Sequence, residues 1–109
     1  MNWSLKYLPE ARDDLKKLAG NQRIIVAKAI EKVRQNPLPA NKGGYGKPLG
    51  NKNNNDLSGF MKIKLRSAGI RIVYKLIRTE TEMLIVVIGV RGDNEVYDIA
   101  GKRIAKNRV

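Results

Sequence analysis

Between Met61 and Thr79 the chain carries six cations and no acid, and the cations are regularly spaced. Lys62, Lys64 and Arg66 alternate with Met61, Ile63 and Leu65. After Ser67-Ala68-Gly69, Arg71, Val73 and Lys75 alternate with Ile72, Tyr74 and Leu76, and Arg78 follows. Side chains of a strand point to its two faces in turn, so this segment predicts a β-hairpin with one apolar and one basic face. Pairing Ser67 with Ile70 sets Leu65 opposite Ile72, Ile63 opposite Tyr74 and Met61 opposite Leu76. On the basic face it sets Arg66 opposite Arg71 and Lys62 opposite Lys75. Like charges directly opposite destabilise a sheet, and these six residues supply half of the net charge of +12. A solvated strand guarded by lysines would also be basic, but crowding of this density is best relieved by an anionic partner. The crowding also offers a base. Lys62 and Lys64 stand about 7 Å apart along one strand face, where like charges cost roughly 2.4 kcal/mol at an effective dielectric of about 20. That makes a minority neutral lysine available as a proton acceptor.

The remaining composition narrows the chemistry. There is no cysteine and no histidine, which excludes disulfides, thiolate metal sites, classical zinc sites and imidazole acid–base work, so no metal and no cofactor is expected. The 109 residues, 42% of them hydrophobic, suit one domain over 1–109 with a real core. Twenty-two Lys and Arg against ten Asp and Glu point to nucleic acid or an acidic protein as partner. A membrane surface fits less well, since no basic amphipathic helix dominates. The opening MNWSLKYLPEARDD lacks the apolar core of a signal peptide, and no segment is long enough to span a bilayer, so a cytoplasmic location is expected.

Other elements must hold the hairpin in place. Trp3, Leu5 and Tyr7 alternate with Ser4 and Lys6, the pattern of a short half-buried strand. Pro9 suits the first turn of a helix, acids follow it, Ala11, Leu15 and Leu18 form its apolar stripe, and Gly20 ends it. A second helix from about Asn21 to Gln35 turns Val26, Ile30 and Val33 to one side and stops at Asn36-Pro37. Residues 38–58 read as a mobile basic loop, in which GGYG lacks the spacing and the Lys-Ser/Thr of a phosphate-binding P-loop. Its Lys47 and Lys52 are candidate phosphate contacts. Met83 to Val90 is apolar at nearly every position, as in an interior strand buried on both faces. Asp93 or Asn94 can then cap a last helix striped by Val96, Ala100 and Ile104. The order predicts an α/β (α+β) fold: a small antiparallel sheet, a helical hairpin on its apolar face, and a short C-terminal helix bounding a groove on the basic face.

WSLKYLPEARDDLKKL, the KPL at 47–49, SGFMKIKLRSAGIRIVYKL and VIGVRGDNEVYDIAGKRI together resemble the RelE branch of the RelE/ParE superfamily of toxin–antitoxin toxins, along nearly the whole chain and in order. The resemblance implies a microbial-RNase-type fold, ribosome-dependent cleavage of mRNA in the ribosomal A site, contact with ribosomal RNA, and inhibition by a small RelB-like antitoxin. It carries the catalytic set onto Lys62, Lys64, Arg71, Arg91 and Tyr97, with Arg66 as an adjacent phosphate contact; Lys75 extends the basic row. Ile70 stands where relatives often carry an aromatic, and the Asn-rich loop is longer than usual.

Metal-free RNA cleavage needs the 2′-hydroxyl deprotonated, the phosphate stabilised and the leaving 5′-oxygen neutralised. Lys64, helped by Lys62, is the expected base. Arg71 and Arg91 suit phosphate oxygens with their planar forks, and Tyr97 can stack on a base or orient the 2′-hydroxyl. Two other functions fit a basic chain of this kind: a ParE-type toxin that blocks DNA gyrase without chemistry, and a plain RNA-binding module. The joint presence of the five residues favours the enzyme, since a binder needs charge but no constellation.

Overall fold

The N-terminal alternation builds β1 (Ser4–Tyr7), with Leu5 and Tyr7 half-buried and Ser4 and Lys6 exposed. The computed structural model describes residues 3–52, 54–90 and 92–109. Pro9 opens α1 (Pro9–Lys17), with Glu10 in its first turn and Lys16 and Lys17 in its last, each suited to the helix dipole. The chain extends through Leu18 and Ala19 and starts α2 (Gly20–Arg34), where the Ala19 N–H donates to the Gln22 side chain at 3.2 Å. Ala11, Leu18, Val26, Ile30 and Val33 are buried, and Leu15 is half-buried.

The expected mobile loop is largely structured. Gly44 and Gly46 close a turn against Pro39 and Leu38, and β2 (Lys47–Pro48) pairs with the first strand of the hairpin. β3 (Asn51–Lys52) and β4 (Asn55–Asp56) pair with each other as a separate two-stranded sheet. There follow β5 (Phe60–Leu65), β6 (Ile70–Ile77), β7 (Glu82–Gly89) and α3 (Asp93–Asn107). The main sheet runs in the order β1-β7-β6-β5-β2. The α+β arrangement is the expected one, and the three-stranded meander is antiparallel. The sheet as a whole is mixed, because β1 joins β7 in parallel. That position gives the apolar β7 a neighbour on each side, as its burial on both faces requires.

The hairpin keeps its predicted faces but not its predicted partners. Leu65 pairs with Ile70, Ile63 with Ile72 and Met61 with Tyr74, a shift of two residues from the expected register. The reason is the turn: Arg66–Ala68 form a 3-10 turn closed by Gly69 at φ 67°, so four residues connect the strands rather than two. A shift of two preserves the alternation, so every apolar side chain stays inside. Lys64 is now opposite Arg71, and Lys62 opposite Val73.

The Ile63, Ile72 and Tyr74 row is buried on the side of α2, where the Tyr74 hydroxyl donates to the Pro37 carbonyl at 2.9 Å. α3 covers the other face. A Cβ on Gly89, the residue paired with Arg71, would come within 2.8 Å of Val96, so glycine is what lets α3 close on the sheet. Val73, Val87, Val96, Tyr97 and Ala100 are buried there. β7 has one extra residue, Val86, between its pairs with Val73 and Tyr74. Arg103 of α3 donates to the Val86 carbonyl at 3.0 Å and to both carboxylate oxygens of Asp14. Asp14 also accepts from the Ile88 N–H, so side chains complete the edge of β7 beyond β1. Among the described residues no helix is long and apolar enough to cross a membrane.

Candidate nucleic-acid site

Lys64 and Arg71 are register partners on the α3-covered face of the hairpin, and the first residue of α3 reaches both. Asp93 Oδ2 lies 3.2 Å from Lys64 Nζ, and its Oδ1 accepts from Arg71 Nε. The Arg71 hydrogen bond first, and then that from Lys64, hold this carboxyl below the usual carboxylate range against a partial loss of hydration. Asp93 was expected as a cap. The cap position is Gly92 instead, and the carboxylate still lies at the helix N-terminus, where negative charge is favoured. Its partners lie 22 and 29 residues away, so no local pattern announces the contact.

Lys62 has different surroundings. Its register neighbours are Val73 on β6 and Lys47 on β2, and among the described residues no acid pairs with it. The sequence named Lys47 as a phosphate contact without a strand to hold it; β2 supplies one. Lys47, Lys62 and Lys64 edge an open cleft of about 230 Å³ whose other wall includes Val33 and Tyr45. Tyr97 stands one helical turn beyond Asp93 and is 4% exposed. Burial raises the pKa of its hydroxyl, Asp93 adds to that, and Lys64 and Arg71 oppose it, so the phenol lies within the field of the cluster. A ring so buried offers no face for stacking. Among the described residues no group hydrogen-bonds its hydroxyl.

The other candidates are dispersed. Arg66 is exposed in the turn beyond β5. Lys75 lies four pairs along β6 from Arg71, its ammonium 5.5 Å from the Phe60 ring centroid. Lys52 is on β3, whose partner strand leans on α3 through Asn55 and Asp98 at 2.7 Å. Arg91 lies outside the described residues. Among those described, no three His, Cys, Asp or Glu side chains are grouped to hold a metal ion.

No protein-family model matches the chain. It does superpose on the Escherichia coli toxin RelE, solved in the free state as a double arginine-to-alanine mutant, with a TM-score of 0.71 and 30% identity over 95% of this chain and 99% of that one. The chain belongs to the RelE branch of the RelE/ParE toxin superfamily. A local stretch of 43 residues, 39% of this chain and 45% of its relative, is 46% identical to the mRNA interferase toxin RelE of E. coli strain K12. The same E. coli mutant, in complex with an antitoxin RelBc peptide, matches 92% of this chain and 95% of its own at a TM-score of 0.69 and 26% identity. The expected family therefore stands on the whole length of the chain. Asp93 gives this RelE-branch chain an acid within its own cation cluster, a feature of the geometry that the resemblance did not supply.

Proposed function

We propose that this chain is the toxin of a type II toxin–antitoxin pair and an endoribonuclease that cleaves mRNA in the ribosomal A site by metal-free attack of the ribose 2′-hydroxyl. One observation carries the reading: at one end of a RelE-type hairpin, Lys62, with no acid partner among the described residues, stands beside a carboxylate-paired Lys64 and Arg71, with Tyr97 in the same field. Lys62, opposite Lys47 on β2 and without an acid partner among the described residues, takes the proton of the 2′-hydroxyl, while Lys64 and Arg71, both held by Asp93, take the phosphate oxygens. The Tyr97 hydroxyl orients the attacking group. Arg91 serves the leaving 5′-oxygen, a role that rests on the resemblance alone.

The inhibitor is a small antitoxin, as for the RelE relative solved with its antitoxin peptide. A chain of net charge +12 favours an acidic, amphipathic segment of that partner, with affinity that falls as salt rises.

The test is single-turnover cleavage on programmed ribosomes. Lys62→Ala lowers the rate by about 10²-fold or more. Lys62→Arg fails too, because arginine keeps its charge and cannot release its proton; an active K62R enzyme would overturn the assignment. Products carry 2′,3′-cyclic phosphate and 5′-hydroxyl ends, and 5′-phosphate ends would exclude 2′-hydroxyl attack. Growth arrest with altered DNA supercoiling in a cleavage-dead variant would support the gyrase-blocking reading instead.

A further inference from the structure

The GGYG stretch has no place in the chemistry above, yet its tyrosine is one of the few large apolar side chains that the fold leaves in water. Tyr45 is 49% exposed. The backbone around it is fixed. The Tyr45 N–H donates to the Asn36 carbonyl at 2.9 Å, Gly46 N–H to Leu38 at 3.0 Å and Gly44 N–H to Pro39 at 3.1 Å. The Asn36 side chain holds the Gly43 carbonyl at 3.2 Å. The flanking glycines are required by close approach: a Cβ on Gly44 would collide with the Leu38 backbone, and one on Gly46 with the Tyr74 hydroxyl and Met61. A loop built this tightly presents one aromatic ring outward at a set position.

That position is the cleft of Lys47, Lys62 and Lys64. Two residues after Tyr45 the chain enters β2, where Lys47 pairs with Lys62, so the ring and the proposed base are tied to one strand pair. The Lys32 ammonium stands 5.2 Å from the ring centroid, adding a further cation beside the ring. Single-stranded RNA is held by this combination of cations for the backbone and an exposed aromatic for a splayed base. Tyr97, the aromatic that the sequence suggested for stacking, has its ring in the core.

We propose that Tyr45 is a binding and specificity residue on which an unstacked RNA base beside the scissile phosphate rests, with Lys47 and Lys62 meeting the adjoining backbone. This rests on the RNA-cleaving reading of the same cleft. It does not depend on which lysine takes the proton.

The experiment compares wild type, Tyr45→Ala and Tyr45→Phe on mRNA-programmed ribosomes, with cut sites mapped across several messages. Tyr45→Ala raises the half-saturating concentration of programmed ribosome by about fivefold or more and redistributes the cut sites, the loss falling on half-saturation rather than on the saturating rate. Tyr45→Phe restores both, since the ring and not the hydroxyl does the stacking. A Tyr45→Ala protein with wild-type half-saturation and cut sites would overturn the proposal, as would a Tyr45→Phe protein as impaired as Tyr45→Ala. A second arm measures binding of a fluorescent single-stranded RNA oligonucleotide to the free protein. If wild type proves unable to cleave, the enzymatic reading fails, but Tyr45→Ala must still bind this RNA more weakly than wild type; equal binding would remove the stacking role as well.

Discussion

α3 is fastened to the rest of the molecule at both ends by an acid–cation contact, and the two contacts are of different kinds. Near its C-terminal end Arg103 meets Asp14, with side chains only 17% and 15% exposed. Both are committed further: Arg103 to the Val86 carbonyl, Asp14 to the Ile88 N–H. Their partners are backbone groups of β7 beyond its pairing with β1, so the network serves the fold. At the N-terminal end one carboxylate, Asp93, is shared between Lys64 and Arg71 and is 37% exposed. Lys64 and Arg71 are 23% and 21% exposed, so the contact is partly screened by solvent and contributes on the order of 1 kcal/mol. An arrangement worth so little to stability, on the face that gathers the proposed catalytic cations, is better explained by what it does to those cations.

The largest expected effect on stability is therefore at the C-terminal end. Arg103→Met leaves Asp14 half-buried without its cation and lowers unfolding free energy by about 3 kcal/mol, read from urea denaturation, while cleavage per folded molecule is retained. Asp93→Asn does the reverse. Its cost in the same titration stays below about 1 kcal/mol, but single-turnover cleavage falls about tenfold or more as Lys64 and Arg71 lose their alignment. Equal losses of stability in the two variants would break the distinction. The pH dependence sharpens it. The folded-state pKa of Asp93 is depressed, so its contribution is complete above the unfolded carboxylate value of about 3.9 and is lost as pH falls through the lower folded value. Asp93→Asn should remove that portion of the acid limb, and an unchanged limb would mean that the contact contributes no pH-dependent stability.

The same contrast explains what could be read from residue order. Alternation identified both faces of the hairpin, because the side-chain period of two survives a register shift of two. It could not identify the partner of Lys64, which depends on whether Gly69 closes a two- or a four-residue connection. The helices were legible from Pro9, Asn36-Pro37 and the stripe of Val26, Ile30 and Val33, since those signals are local. β2, β3 and β4 are two residues each, too short for any periodicity, and without β2 Lys47 had no route to Lys62. A turn signal was present in the Asn run: Asn54 takes φ 65°, a conformation asparagine tolerates. Asp93 was visible as a helix-start acid, but its pairing joins residues far apart in sequence and emerges only when α3 folds over the sheet.

The smallest effect expected is at the middle of α3, between the two fastenings. A Cβ on Gly101 would stand 2.2 Å from the Asn55 side-chain oxygen, whose amide nitrogen donates to Asp98. Glycine here lets β4 lie against the helix. Gly101→Ala gains about 1 kcal/mol of helix propensity and gives up a contact that includes a hydrogen bond of about 1 kcal/mol, so the melting temperature should hardly move. The local consequence should still be measurable. The Leu57 N–H, bonded to Gly50 across the β3–β4 segment, should exchange with solvent faster once Asn55 is displaced. Cleavage should change little, because Asp93 and Val96 still set the first turn of α3. Unchanged exchange at Leu57 would mean that β3 and β4 hold without the helix, and a large loss of cleavage would mean that this strap, rather than Asp93, positions Tyr97.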